Sequence, residues 1–118
     1  MAAEEGQVFV CHTLEEWENH LQRGVESNKL VVIDFTAAWC GPCRFISPIF
    51  AEIAKKTANV IFLKVDVDEL APVAKEFKVE AMPTFLFLKV GREVDRIVGA
   101  RKEELMAKVN LHGSVTTA

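Results

Sequence analysis

Apolar residues return along the chain in two rhythms. Leu14, Trp17 and Leu21 recur at helical spacing behind Thr13, and Glu16 completes a capping box with that threonine, so a first helix is predicted over about 14–23. Gln7–Val10 ahead of it reads as a short strand. After the polar stretch Glu26–Lys29, the run Leu30-Val-Val-Ile-Asp-Phe35 is β-branched and nearly continuous, the pattern of a strand buried on both faces. One acid, Asp34, interrupts it.

From Cys43 onward, Ile46, Ile49, Phe50 and Ile53 mark one face of a long helix reaching Lys55 or Lys56. Pro48 is predicted to kink it by removing one backbone hydrogen bond. Val60–Val65 reads as another buried strand, and Leu70, Val73, Ala74 and Phe77 as a short helix with Pro72 near its start. Thr84–Lys89, a turn at Gly91 and Glu93–Val98 form a predicted hairpin. Glu103–Leu111 closes the chain as a helix with Leu105 and Val109 inward and Glu104 one turn ahead of Lys108. Strands alternating with helices, then a hairpin and a helix, predict an α/β fold with a central mixed sheet covered on both faces. With no repeat or linker-like stretch, one domain is expected over 1–118, its ends 1–6 and 113–118 loose.

Composition narrows the partners. Half of the 118 residues are hydrophobic and 26% are charged, enough to bury a real core without staples and unlike a disordered chain. A net charge of −3 with no basic block gives no footprint for nucleic acid or an anionic membrane. No apolar run approaches the ~18 residues of a membrane span. The acidic start, Met1-Ala-Ala-Glu-Glu-Gly6, and a first arginine at Arg23 do not resemble a secretory or transit peptide, so a cytoplasmic protein is expected. It has three cysteines, Cys11, Cys40 and Cys43, too few for a secreted disulfide scaffold.

Cys40 and Cys43 stand where a buried strand turns into a helix. Residues three apart are neighbours on a helix, so their sulfurs can close a disulfide. Cys43 shares the apolar face of Ile46 and Phe50 and should be shielded; Cys40, at the helix start, is expected to remain exposed. There the helix dipole and unpaired N–H groups favour an anion and lower the thiol pKa. Cys40 is therefore the expected nucleophile that attacks a partner disulfide, and Cys43 the resolving thiol. Pro42 fits the first turn and stiffens the ring. A zinc site would need Cys11, His12, His20 or His112 to converge on the pair, and a purely structural disulfide is disfavoured in a reducing compartment. Cys11 reads as a buried small hydrophobe, its rival being a third redox-active thiol that gives a regulatory disulfide or a linked dimer.

Trp39-Cys40-Gly41-Pro42-Cys43 is similar to the active-site signature of the thioredoxin family, and the resemblance runs from about Val8 to Leu111. It includes Val-Ile-Asp34-Phe, Lys64-Val-Asp66-Val-Asp68, Ala-Met82-Pro83-Thr84 and Val98-Gly99-Ala100. The segment Asp34–Arg44 is similar to the plant cytosolic h-type. The resemblance implies the thioredoxin fold, a five-stranded mixed β-sheet flanked by four α-helices, two on each face. It implies a protein-disulfide reductase, acting as a monomer, with no bound cofactor. Its electrons would come from NADPH through thioredoxin reductase, and its targets would be disulfide-containing proteins such as peroxiredoxins. Asp34, buried without a full partner, should have a raised carboxyl pKa and accept the proton of Cys43; the alternative is an acid simply paired with Lys64. In the family the proline at Pro83 is cis and lies beside the cysteines, leaving the Met82 backbone free to pair with an extended substrate segment. Trp39, Met82, Gly99 and Ala100 would form an apolar collar for the partner. Two rival functions remain: a binding or chaperone module of the same fold, and an oxidising or isomerising relative, which Gly41-Pro42 between the cysteines disfavours.

Overall fold

Five strands, β1 (Val8–Cys11), β2 (Leu30–Thr36), β3 (Ile61–Asp66), β4 (Thr84–Lys89) and β5 (Arg92–Val98), form one sheet in the order β1-β3-β2-β4-β5. β1, β3 and β2 run parallel, whereas β4 is antiparallel to both β2 and β5. Four helices cover it: α1 (Leu14–Ser27), α2 (Gly41–Lys55), α3 (Ala71–Glu76) and α4 (Lys102–Gly113). The structure, a computed structural model, describes residues 6–113. The expectation of loose ends falls mostly outside those residues. At the two borders, a Cβ on Gly6 would overlap the Ala54 carbonyl, and one on Gly113 would press into Val60.

The sheet has two buried faces because its central strands β3, β2 and β4 are apolar at most positions, with Asp34 and Lys64 as charged exceptions inside them. On one side Trp17 of α1 and Val73 and Ala74 of α3 pack over Ile33, Phe35, Leu63 and Leu86. On the other, Ile46 and Phe50 of α2 and Leu105 and Val109 of α4 pack over Val32, Phe62, Phe85 and Phe87. The Phe50 ring lies 5.3 Å from that of Phe62 and 5.5 Å from that of Phe85. Truncating such a residue to alanine costs about 3–5 kcal/mol. β2, at the centre, therefore leads from the densest part of the core directly to the start of α2.

The helix ends differ from the periodic reading in instructive ways. Thr13 and Glu16 form the expected capping box, but α1 continues four residues past 23, to Ser27, and stops at Asn28 in the left-handed region, φ 57°. Its last turn is mostly polar, so apolar spacing could not reveal it. Gly24 in that turn is buried, and a Cβ there would meet the Val31 side chain, so α1 lies close on the sheet. α2 begins at Gly41 behind Cys40, with Pro42 in its first turn as expected, and runs through Pro48 without ending. Between β4 and β5, Val90 and Gly91 both take positive φ, 50° and 77°, as a two-residue hairpin turn with matching twist requires.

Candidate active site

The segment 37–40 carries the chain from β2 to α2 and makes Cys40 the N-cap of that helix. Cys40 has extended backbone, φ −94° and ψ 112°, and its Sγ accepts the Cys43 N–H at 3.2 Å. Cys40 and Cys43 form a disulfide across the first turn, their Cα atoms 5.3 Å apart. Cys43 is 2% exposed, as expected of a residue on the inner face. Cys40 is only 4% exposed, contrary to the expectation of an open sulfur. Its side chain turns back over the helix end, packs with Ala37 and Met82, and places Sγ 3.5 Å from the Met82 carbonyl oxygen. Exposure does not separate the two cysteines; their places in the helix do.

Around the pair, Trp39 is 66% exposed and Gly41 and Pro42 are open to solvent, with nothing near the position a Cβ on Gly41 would take. The Met82–Pro83 peptide is cis. The Gly99 N–H donates to the Pro83 carbonyl at 2.8 Å, which ties the end of β5 to the Met82–Pro83 loop and brings Gly99 and Ala100 to its side. Gly99 has φ 105°, and a Cβ there would make only ordinary contact with the Arg101 side chain, so backbone conformation, not crowding, selects glycine there.

Asp34 is fully buried, and neither carboxyl oxygen has a hydrogen-bond partner. Burial pushes its pKa from the ordinary 3.8 up to about 7, against a smaller downward pull from the Lys64 charge. The direct Asp34–Lys64 pair expected as the alternative is not made. Lys64 is the register partner of Asp34 in the neighbouring strand, yet its Nζ donates to Ser47 Oγ on α2 at 2.6 Å. The lysine thus acts on the acid across space without touching it.

Sequence reasoning missed three contributors. Asp68, in the turn after β3, accepts the Trp39 indole N–H at 3.0 Å and fixes the exposed ring. Arg44 reads from sequence as a solvated helix charge, but it donates to the Ala38 carbonyl at 2.9 Å and braces the segment before Cys40. Ser47 carries the Lys64 contact. The first and last join groups distant in sequence, and only the short span of Arg44 to Ala38 left any local trace. Cys11 stays apart from the pair: it is buried among Trp17 and Val73 on the α1 face, and burial, with the nearby Glu16 charge, raises its pKa to about 11. Among the described residues no group of three or more His, Cys, Asp or Glu is arranged to hold a metal, and no helix is long and apolar enough to cross a membrane.

The thioredoxin family model matches residues 8–111. Thioredoxin H-type 1 of Nicotiana tabacum is 63% identical over 116 residues, which span 98% of this chain and 92% of that protein. Thioredoxin H4 of Arabidopsis thaliana is 63% identical over 119 residues and all of both chains. The crystal structure of thioredoxin NaTrxh from Nicotiana alata superposes with a TM-score of 0.89 at 46% identity, covering 97% of this chain and 99% of that one. The match extends from β1 into α4, and the Cys40–Cys43 pair spans the first turn of α2, so the chain belongs to the thioredoxin family and is a thiol-disulfide oxidoreductase that reduces protein disulfides.

Proposed function

We propose that Cys40 is the nucleophile, Cys43 the resolving thiol and Asp34 the proton acceptor. The observation that carries this reading is the capping contact: Cys40 Sγ receives an N–H at the positive end of α2, where negative charge on sulfur is favoured. The Cys40 thiolate attacks one sulfur of a target disulfide, forming a mixed disulfide and releasing the first target thiolate. Cys43 then gives its proton to the Asp34 carboxylate. Its sulfur attacks Cys40, closing the Cys40–Cys43 disulfide and releasing the second target thiolate. Gly41 and Pro42 set the geometry of the ring, and Lys64 moderates the charge on Asp34.

The target segment lies in an extended form along the Met82 backbone beside Pro83, with Trp39, Gly99 and Ala100 as the apolar collar. Electrons arrive from NADPH through thioredoxin reductase, and peroxiredoxins are among the disulfide proteins served. The protein works as a cytoplasmic monomer and a single domain, a reading supported by the h-type relatives. In a coupled assay with NADPH, thioredoxin reductase and insulin, the parent consumes NADPH. Cys40→Ser abolishes turnover, whereas Cys43→Ser accumulates a covalent target adduct. An adduct on Cys40→Ser with turnover abolished in Cys43→Ser would reverse the roles, and a non-redox, partner-holding role that survives the Cys40/Cys43 double substitution would point to the binding-module reading. Asp34→Asn slows resolution by about 100-fold, the lower range for a lost general base.

A further inference from the structure

The Lys64 ammonium sits in the sheet face opposite α2 with Asp34 as its immediate register neighbour. Registered residues of adjacent parallel strands point to the same face, so the two opposite charges share one apolar surface under α2. An ammonium and a carboxylate so placed would ordinarily meet, yet both oxygens of Asp34 are unpartnered and Lys64 Nζ is bonded to the Ser47 hydroxyl. Ser47 stands four residues after Cys43 on α2, one helical turn along the same face. The helix that carries the resolving thiol also carries the group that holds the lysine.

We propose that Ser47 is a positioning residue for the resolving step: its hydroxyl tethers the Lys64 ammonium away from the Asp34 carboxyl and so governs how readily that carboxyl exchanges a proton with Cys43. The kinetic part of this inference rests on the role proposed above for Asp34. The groups facing Asp34 are few. Among the described residues, β3 places Lys64 and β4 places Phe85 in register with Asp34, α2 brings Ser47 to the Lys64 ammonium, and Ile46, Phe50, Leu105 and Val109 of α2 and α4 pack over the same face. Lys64 is the only permanent charge among them, so its position is the variable through which a neighbouring residue can act on the acid. A hydroxyl is a suitable anchor because it accepts from the ammonium without adding a charge that would itself raise or lower the proton affinity of Asp34.

The test separates the tether from the catalytic role by two readouts. Titration of the Asp34 carboxyl by carbon NMR in the oxidised protein reads the tether alone. In Ser47→Ala, Lys64 loses its partner and turns to Asp34; the midpoint falls by about 1 pH unit, as for a carboxyl that gains an opposite charge at contact range. Ser47→Thr keeps the hydroxyl and the parent midpoint. In a Lys64→Met background, Ser47→Ala has no further effect. A Ser47→Ala midpoint equal to the parent's, or a fall that persists without Lys64, overturns the inference. The pH profile of target release from the mixed disulfide reads the catalytic role. Its acid limb should follow the Asp34 midpoint from variant to variant, moving to lower pH in Ser47→Ala. If the midpoint moves and the limb does not, the tether stands and the proton-acceptor role of Asp34 falls.

Discussion

Asp34 and Asp95 project from the same face of the same sheet and come to opposite ends. Asp34 pairs in register with Phe85, Asp95 with Phe87 two residues further along β4, so both point toward the layer of α2 and α4. Asp34 lies on the central strand, buried and without a donor. Asp95 lies on the edge strand, where α4 extends Lys108 Nζ and His112 Nε2, each 2.8 Å from Oδ2, and the Arg96 N–H reaches Oδ1 at 2.8 Å. Hydrogen bonds from Lys108 and His112 outweigh partial burial and hold the Asp95 carboxyl down at about 2. The same residue type in one sheet thus becomes either a buried carboxyl of raised pKa or a fixed anion that latches α4. What decides is whether neighbouring elements supply donors.

The widest separation between the two should appear in stability against pH. A carboxyl whose folded pKa stands above its unfolded value binds more protons in the folded state, so Asp34 erodes stability as pH rises from about 4 to about 7. A rise from 3.8 to about 7 corresponds to on the order of 4 kcal/mol. Oxidised Asp34→Asn should therefore gain on the parent by that amount between pH 4 and pH 8 in denaturant titrations; a difference independent of pH would remove the contrast. Asp95 has the opposite sign. Its stabilisation is present above the ordinary carboxylate range and is lost as pH falls toward 2. Asp95→Asn should cost about 1 kcal/mol at pH 7, discounted for its partial exposure to solvent, with the cost vanishing near pH 2 and disulfide reduction unchanged. Slowed reduction in Asp95→Asn would mean that the latch reaches the active site.

Cys11 extends the comparison to a third buried group. Like Asp34 it is raised by burial, but no reactive partner faces it, and its thiol stays protonated at neutral pH. A small alkylating reagent at pH 8 should label Cys40 in the native reduced protein and leave Cys11 intact, and Cys11→Ala should lower stability by about 1 kcal/mol or less. Labelling of Cys11 at the rate of Cys40, or a disulfide-linked dimer, would restore it as a redox thiol.

Much of this contrast was legible before any coordinates. A lone acid in the run Leu30–Phe35 is an anomaly of pattern, and the β-branched runs located the strands to within a residue or two. The Cys40–Cys43 spacing at a strand-to-helix junction carried its chemistry openly. What stayed hidden was everything supplied from a distance. Ala37 and Met82 close over Cys40, Asp68 anchors Trp39, and Ser47 takes the lysine that local reasoning offered to Asp34 only as an alternative. The last turn of α1 was invisible for another reason, since polar residues ending in an αL asparagine leave no apolar rhythm.

The sulfur proposed to attack is also the sulfur that caps α2, so chemistry and helix geometry share one hydrogen bond. Every change of bonding at Cys40, from thiolate to mixed disulfide to closed ring, changes the acceptor offered to the Cys43 amide. The shift and exchange rate of that one proton form an intrinsic gauge of where the protein stands in its cycle, readable without a label or a substrate analogue.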